Sequence, residues 1–138
     1  MDQKRGLQYP NMREIKFRAW ITPWGNAEPS AYMKCIDHLE LHIYIGNWAR
    51  GGYKNAVFQQ YTGLTDCKGK EIYEGDILKN EGHFAYGVVS FTEAKFIVSL
   101  KDSMICYDLY ELFDGLYQEN YPGVVGNIFE NPTLITDK

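Results

Sequence analysis

The chain lacks most of the features from which function is usually read. It has only three cysteines, Cys35, Cys67 and Cys106, far apart and with no CxxC pair. That pattern excludes a disulfide framework and a structural zinc site, and it suits reduced thiols in a cytosolic protein. No apolar run approaches the roughly 18 residues of a membrane-spanning helix. No signal-peptide apolar segment follows the basic start. The expectation is a soluble intracellular protein with no membrane partner. A GxSxG nucleophile elbow is absent. A phosphate loop fails too: five residues separate Gly63 from Gly69, and Lys70 is followed by Glu71 where Ser or Thr is needed to hold magnesium. An EF-hand opening at Asp66 would place Lys68 and Lys70 at calcium-ligand positions, where they repel the ion.

What is present points to a β-rich globule. The 138 residues suit one domain of ordinary size, and 45% hydrophobic with 23% charged residues supports an unstapled core. Aromatics reach 15%, a level that favours strands and interfaces. The net charge of −4 is unevenly placed. Residues 1–20 carry five basic against two acidic side chains, whereas residues 102–138 carry one against seven. An acidic chain disfavours strong non-specific binding to a phosphate backbone. Ends of opposite sign suit head-to-tail association of copies.

Residues 1–11 show no periodicity and read as a flexible N-terminal tail, with Met12 a candidate start. Residues 12–138 read as a single compact domain, divisible into halves of about 12–62 and 63–138. In "MREIKFRAW" Ile15, Phe17 and Ala19 alternate with Glu14, Lys16 and Arg18, the period of a strand. "ITPWGNAEPS" is a loop. "AYMKCIDHLELHIYI" is strand-like, its second half strictly alternating, and "AVFQQYTG" is a further strand. "GVVSF" and "KFIVSL" form a hairpin across "TEA". "SMICY" is a short strand. "DLYELFDGL", residues 108–116, is the one credible short helix, with Asp108 as its N-cap. The segment from Val124 to Phe129 closes the chain as a strand before a turn at Asn131-Pro132. Short strands with frequent turn signals predict a mainly β fold, a small SH3-like barrel or sandwich.

Four constellations invite a chemical reading. His38 and His42 have the spacing of two zinc ligands on a helix, but the alternation predicts a strand, where they stand roughly 13 Å apart. Asp76 with Glu93-Ala94-Lys95 loosely matches a metal-dependent nuclease. Nothing in the link fixes how Glu93 and Lys95 point. Cys67 lies beside Lys68, a pairing that invites a nucleophile reading, but no His is near in sequence and only the fold could bring His83 close, so Cys67 reads as an ordinary exposed turn residue. The densest cluster, "QYTGLTDCKGKEIYEGDIL" at 60–78, reads best as turns and strands. Asp66 and Gly69 occupy the first and last positions of a type I turn, with Asp66 bonding the backbone two residues on. Gly75 and Asp76 bend the chain and launch the next strand. No catalytic, cofactor-binding or metal-ligating residue is assigned.

"MREIKFRAW", "QYTGLTDCKGKEIYEGDIL", "GVVSF" and "VVGNIFENPTLI", in that order, resemble the YopX family. Residues 21–55 fall outside the resemblance, and Cys67-Lys68 are unusual in its turn. The resemblance implies a small β-rich protein encoded by bacteriophages or prophages, in the host cytoplasm, and brings no known activity. The expected role is therefore a non-enzymatic accessory protein without cofactor, acting by binding a phage or host protein and by forming homo-oligomers. A second reading is a nucleic-acid-binding barrel that stacks and neutralises through Arg13, Lys16, Arg18, Trp20, Lys68 and Lys70, with Lys16 and Arg18 on one outward face. The nuclease is a distant third.

Overall fold

The computed structural model describes residues 14–22, 31–36, 55–79, 86–112 and 122–136. These residues are mainly β. The strands are β1 (Phe17–Thr22), β2 (Tyr32–Ile36), β3 (Asn55–Thr65), β4 (Glu71–Tyr73), β5 (Asp76–Lys79), β6 (Gly87–Thr92), β7 (Lys95–Leu100), β8 (Cys106–Asp108) and β9 (Gly123–Asn127). Two four-residue helices accompany them, α1 (Leu109–Leu112) and α2 (Thr133–Thr136). The strands form a four-stranded sheet in the order β2-β1-β3-β4 and a five-stranded sheet in the order β8-β7-β6-β5-β9. All pairings are antiparallel, and the arrangement fits a small β-barrel or sandwich.

Buried apolar side chains form two clusters, one within the four-stranded sheet and one that joins Leu64 and Ile72 of that sheet to the five-stranded sheet. Ala19, Ile21 and Ile36 are packed by Tyr32, Ala56 and Phe58 in the first. Ile72, Leu78, Val89, Val98 and Leu109 are packed by Leu64, Phe96, Leu112 and Val124 in the second. The register explains the second cluster. Val89 pairs with Val98 and Leu78 with Val124, so positions on four strands deliver their methyl groups to one face. Fully burying one such side chain contributes about 1.5–3 kcal/mol. β3 is long enough to pair with β1 through its first half and with β4 beyond Tyr61, where its register shifts. Residues 62 and 63, where two halves were expected to meet, lie at this irregularity, inside the strand.

The expected strands from 56–63, 70–73, 77–79, 87–91 and 95–100 are found with small boundary shifts. The β6–β7 hairpin closes on Glu93 and Ala94, both in the left-handed region at φ 50° and 66°. That is the twist a two-residue hairpin turn demands, here without the usual Asn or Gly. Two expectations change. "SMICY" is strand only from Cys106, because residues 101–104 turn, with Asp102 at φ 59°. A second helix, α2, joins the expected one. Pro132 stands just before it, where a fixed φ favours helix entry, and its carbonyl accepts the Thr136 amide at 3.1 Å. The capping of α1 is as expected: Asp108 Oδ1 accepts the Tyr110 amide at 2.9 Å. The tail 1–11, the alternating stretch 37–45 and residues 113–116 lie outside the described residues.

Two glycines hold positive φ at the bends, Gly69 at 84° and Gly75 at 86°. A Cβ on Gly69 would meet nothing within 4 Å, whereas one on Gly75 would sit 3.4 Å from Phe129 Cε2 and 3.6 Å from Ile128 Cγ1. Gly69→Val is therefore expected to cost about 1–2 kcal/mol from backbone strain alone. Gly75→Val is expected to cost more, since strain and crowding add, and Lys68→Ala should stay within about 0.5 kcal/mol of wild type. Urea unfolding of the three variants measures the order; equal stability of Gly75→Val and wild type would refute it.

Candidate functional site

The two sheets meet at the bend Glu74-Gly75-Asp76. Its backbone reaches three elements: the Glu74 amide donates to Gln60 O at 3.0 Å, the Gly75 amide to Val89 O at 2.8 Å, and Gly75 O accepts the Ile128 amide at 2.9 Å. Into this bend projects Arg18 from β1. Its Nη2 donates to Asp76 Oδ1 at 2.7 Å and to the Glu74 carbonyl at 3.2 Å, while Nε donates to Gln59 Oε1 at 2.6 Å. The guanidinium carbon lies 4.7 Å from the centre of the Tyr73 ring. Asp76 Oδ2 accepts the Tyr73 amide at 2.8 Å. The side chains of Arg18 and Asp76 are 9% and 1% exposed, so this is a buried ion pair. Burial pushes the Asp76 carboxyl above its usual range, against the opposing pull of Arg18 and the Tyr73 amide.

A second buried carboxylate organises the turn before it. Asp66 Oδ1 accepts the Lys68 and Lys70 amides, each at 2.8 Å, and Oδ2 accepts the Val124 amide of β9 at 2.9 Å. The Gly69 amide closes the turn on Asp66 O at 2.9 Å. Asp66 is thus a turn residue, as the sequence predicts, and also a clamp on β9. Burial opposes its charge, but the amides of Val124, Lys70 and Lys68, helped by the Lys70 ammonium, outweigh it and hold the carboxyl below its usual range.

The candidate binding face comes out differently from expectation. Arg18 does not point outward. β1 is flanked by β2 and β3, with Ala19 and Ile21 buried on one face, and its other face lies against the bend. Alternation places Lys16, Arg18 and Trp20 together on that covered face. Lys16 bonds Glu71, lies 3.5 Å from Glu14, and stands over the Tyr61 ring at 4.8 Å. Trp20 stacks on Phe129 with centroids 5.7 Å apart. Lys68 and Lys70 are exposed on the Asp66 turn. Arg13, His38, His42 and His83 lie outside the described residues.

The nuclease constellation is not assembled. Asp76 is committed to Arg18, whereas Glu93 and Lys95 are exposed at the tip of the β6–β7 hairpin. With Ile77 opposite Val88, Glu93 stands roughly 13 Å further along β6 than the position facing Asp76. Among the described residues no three His, Cys, Asp or Glu converge as metal ligands. Cys35, Cys67 and Cys106 are all free thiols and exposed.

One feature of the surface was not found from sequence. Met104, Ile105, Tyr107 and Tyr110 are 98%, 51%, 40% and 66% exposed, and all belong to β8 or its immediate flanks, at the rim of the five-stranded sheet. "SMICY" was legible as a strand, but apolar content alone does not tell a rim strand from a central one.

Residues 16–136 match the family described as YopX protein. The crystal structure of protein EF1440 from Enterococcus faecalis is similar, with 25% identity, 90% of this chain and 99% of that chain covered, and a TM-score of 0.49. No protein of curated function matches.

Two outcomes are expected at the buried carboxylates. Asp76→Asn keeps an acceptor for the Tyr73 amide but strands the Arg18 charge, and Arg18→Met strands the Asp76 charge; each should cost about 3–5 kcal/mol. The double variant Arg18→Met/Asp76→Asn should cost clearly less than the two single losses combined, and a strictly additive cycle in urea melts would show that the pair is not coupled. For Asp66 the sign is that of a depressed carboxyl. Its stabilisation is full above the unfolded value near 4 and is lost as pH falls through the folded value. Asp66→Asn, whose amide group must face a backbone N–H, should cost about 1–3 kcal/mol at pH 7. The gap to wild type should narrow at pH 3, and a gap unchanged between the two pH values would contradict the assignment.

Proposed function

The chain belongs to the YopX family, and on that footing we propose that it is a phage or prophage accessory protein of the host cytoplasm that works by binding protein, including further copies of itself, and not by catalysis. The observation that carries this reading is the apolar rim of Met104, Ile105, Tyr107 and Tyr110. Large apolar side chains exposed side by side, rather than scattered singly, mark interaction surfaces. Aromatics and Met are the residue types enriched at such surfaces. The charged groups that suggested chemistry support the same reading. Asp76 is neutralised by Arg18, and Asp66 is taken up by backbone amides. The phage or prophage setting and the compartment rest on the family resemblance; no helix of the described residues is long and apolar enough to cross a membrane.

The nucleic-acid reading loses its central cation, because Arg18 is occupied in the interior. Light scattering over a concentration series tests the proposal together with retention on single-stranded DNA at low salt. Concentration-dependent oligomers without retention are expected. A strict monomer at high concentration overturns self-association, and salt-sensitive retention favours the nucleic-acid reading instead.

A further inference from the structure

β8 is the outer strand of the five-stranded sheet, and among the described residues no strand pairs with its outer side. The opposite rim, β9, is already engaged: its Val124 amide donates to Asp66 Oδ2 and its Asn127 amide to Asn131 Oδ1. The backbone of β8 fixes which of its groups are unused. The Leu100 amide donates to Ile105 O at 3.0 Å, and Val98 pairs with Tyr107. In an antiparallel ladder the residues that exchange bonds with one neighbour alternate with residues that face away. Ile105 and Tyr107 therefore face β7, and the backbone groups of Cys106 and the Asp108 amide face outward. An open edge of this kind is a template for another strand.

Resting on the self-association proposed above, we infer that the occupant of this edge is the β8 of a second copy, paired antiparallel about a two-fold axis that passes between the two Cys106 residues. This register is the self-complementary one. Cys106 exchanges both backbone bonds with its symmetry mate. Ile105 of each copy lies opposite Tyr107 of the other, an aromatic to β-branched pair of the kind that stabilises sheets. The Asp108 amide reaches Met104 O of the mate, and the two Asp108 side chains of the dimer thereby stay apart. Centring the axis on Tyr107 instead would need the Asp108 carbonyl, which sits at the cap of α1, and would leave Ile105 without an apolar cross-strand partner on β8. Size is consistent. The four exposed apolar side chains offer roughly 500 Å² per copy, so pairing has at most about 1,000 Å² of apolar side chain to bury in total, which reaches the threshold for a specific interface. The result is a continuous ten-stranded sheet across the dimer, in which the five-stranded sheet of each copy loses its open rim.

The natural Cys106 provides the test. Residues opposite each other in a hydrogen-bonded antiparallel pair have Cα atoms about 5.5 Å apart, within disulfide reach. Full-length protein carrying Cys35→Ser and Cys67→Ser, which removes the other two thiols, is oxidised mildly and run without reductant, with light scattering of the reduced protein in parallel. A covalent dimer is expected. Adding Tyr107→Glu, at a solvent-exposed position, should weaken the reduced dimer by about tenfold or more and suppress the cross-link, while circular dichroism confirms the fold. A dimer that persists by scattering but neither cross-links at Cys106 nor weakens with Tyr107→Glu overturns the β8 pairing and leaves self-association standing. A cross-link unaffected by Tyr107→Glu also overturns it, as random collision. Absence of any dimer overturns both.

Discussion

The Arg18–Asp76 pair is the interaction on which the rest of the structure depends. Arg18 belongs to the four-stranded sheet and Asp76 to the five-stranded one, and they meet at 2.7 Å with almost no solvent contact. Two isolated charges could not be buried there. Together they can, because Gln59, the Glu74 carbonyl and the Tyr73 amide add three further hydrogen bonds to the pair. The desolvation cost is large enough that the pair adds little net stability over a well-packed apolar alternative. Its contribution is registry. A guanidinium forked between Asp76, Glu74 and Gln59 ties β1 to the bend through directional bonds, which apolar contacts do not supply.

That constraint explains why the residues around it are what they are. Gly75 must adopt positive φ so that its amide and carbonyl can bond β6 and the end of β9 while Asp76 turns inward. Tyr73 lends both its amide to Asp76 and its ring to the guanidinium. Asp66, ten residues before Asp76, is a second buried carboxylate, satisfied by backbone amides and drawing β9 against the turn that leads into β4. The segment 60–78 is thus the hub of the fold. Its density of charge reflects the number of backbone groups and one cation that must be satisfied at a crossing of sheets.

The same organisation separates the interior from the interactive surface. With β9 clamped by Asp66 and the Glu74-Gly75-Asp76 bend tied to both sheets, the rim at β8 is where apolar side chains and unused backbone groups coincide. Its strand is short, and the turn at 101–104 and the helix α1 bound it on either side. An edge so limited suits a single specific pairing better than open-ended polymerisation, because it offers only a few hydrogen bonds and one apolar stripe.

Much of this was legible from the residues alone. Period-two alternation revealed most strands. The Asp66–Gly69 turn and the Asp108 cap were readable because each is closed by bonds to neighbours within four residues, and the Gly75–Asp76 bend because glycine readily takes its positive φ, although its backbone bonds reach Gln60, Val89 and Ile128. Four ordered blocks carried the family. Alternation also put Lys16, Arg18 and Trp20 on one face of β1, but it could not say whether that face meets solvent or another sheet. The partner that settles it, Asp76, is 58 residues away. The open rim at β8 was hidden for the same reason. Whether a strand is central or marginal follows from strand order, and strand order is set by which distant segments pack together, a property of the whole chain that no local pattern encodes.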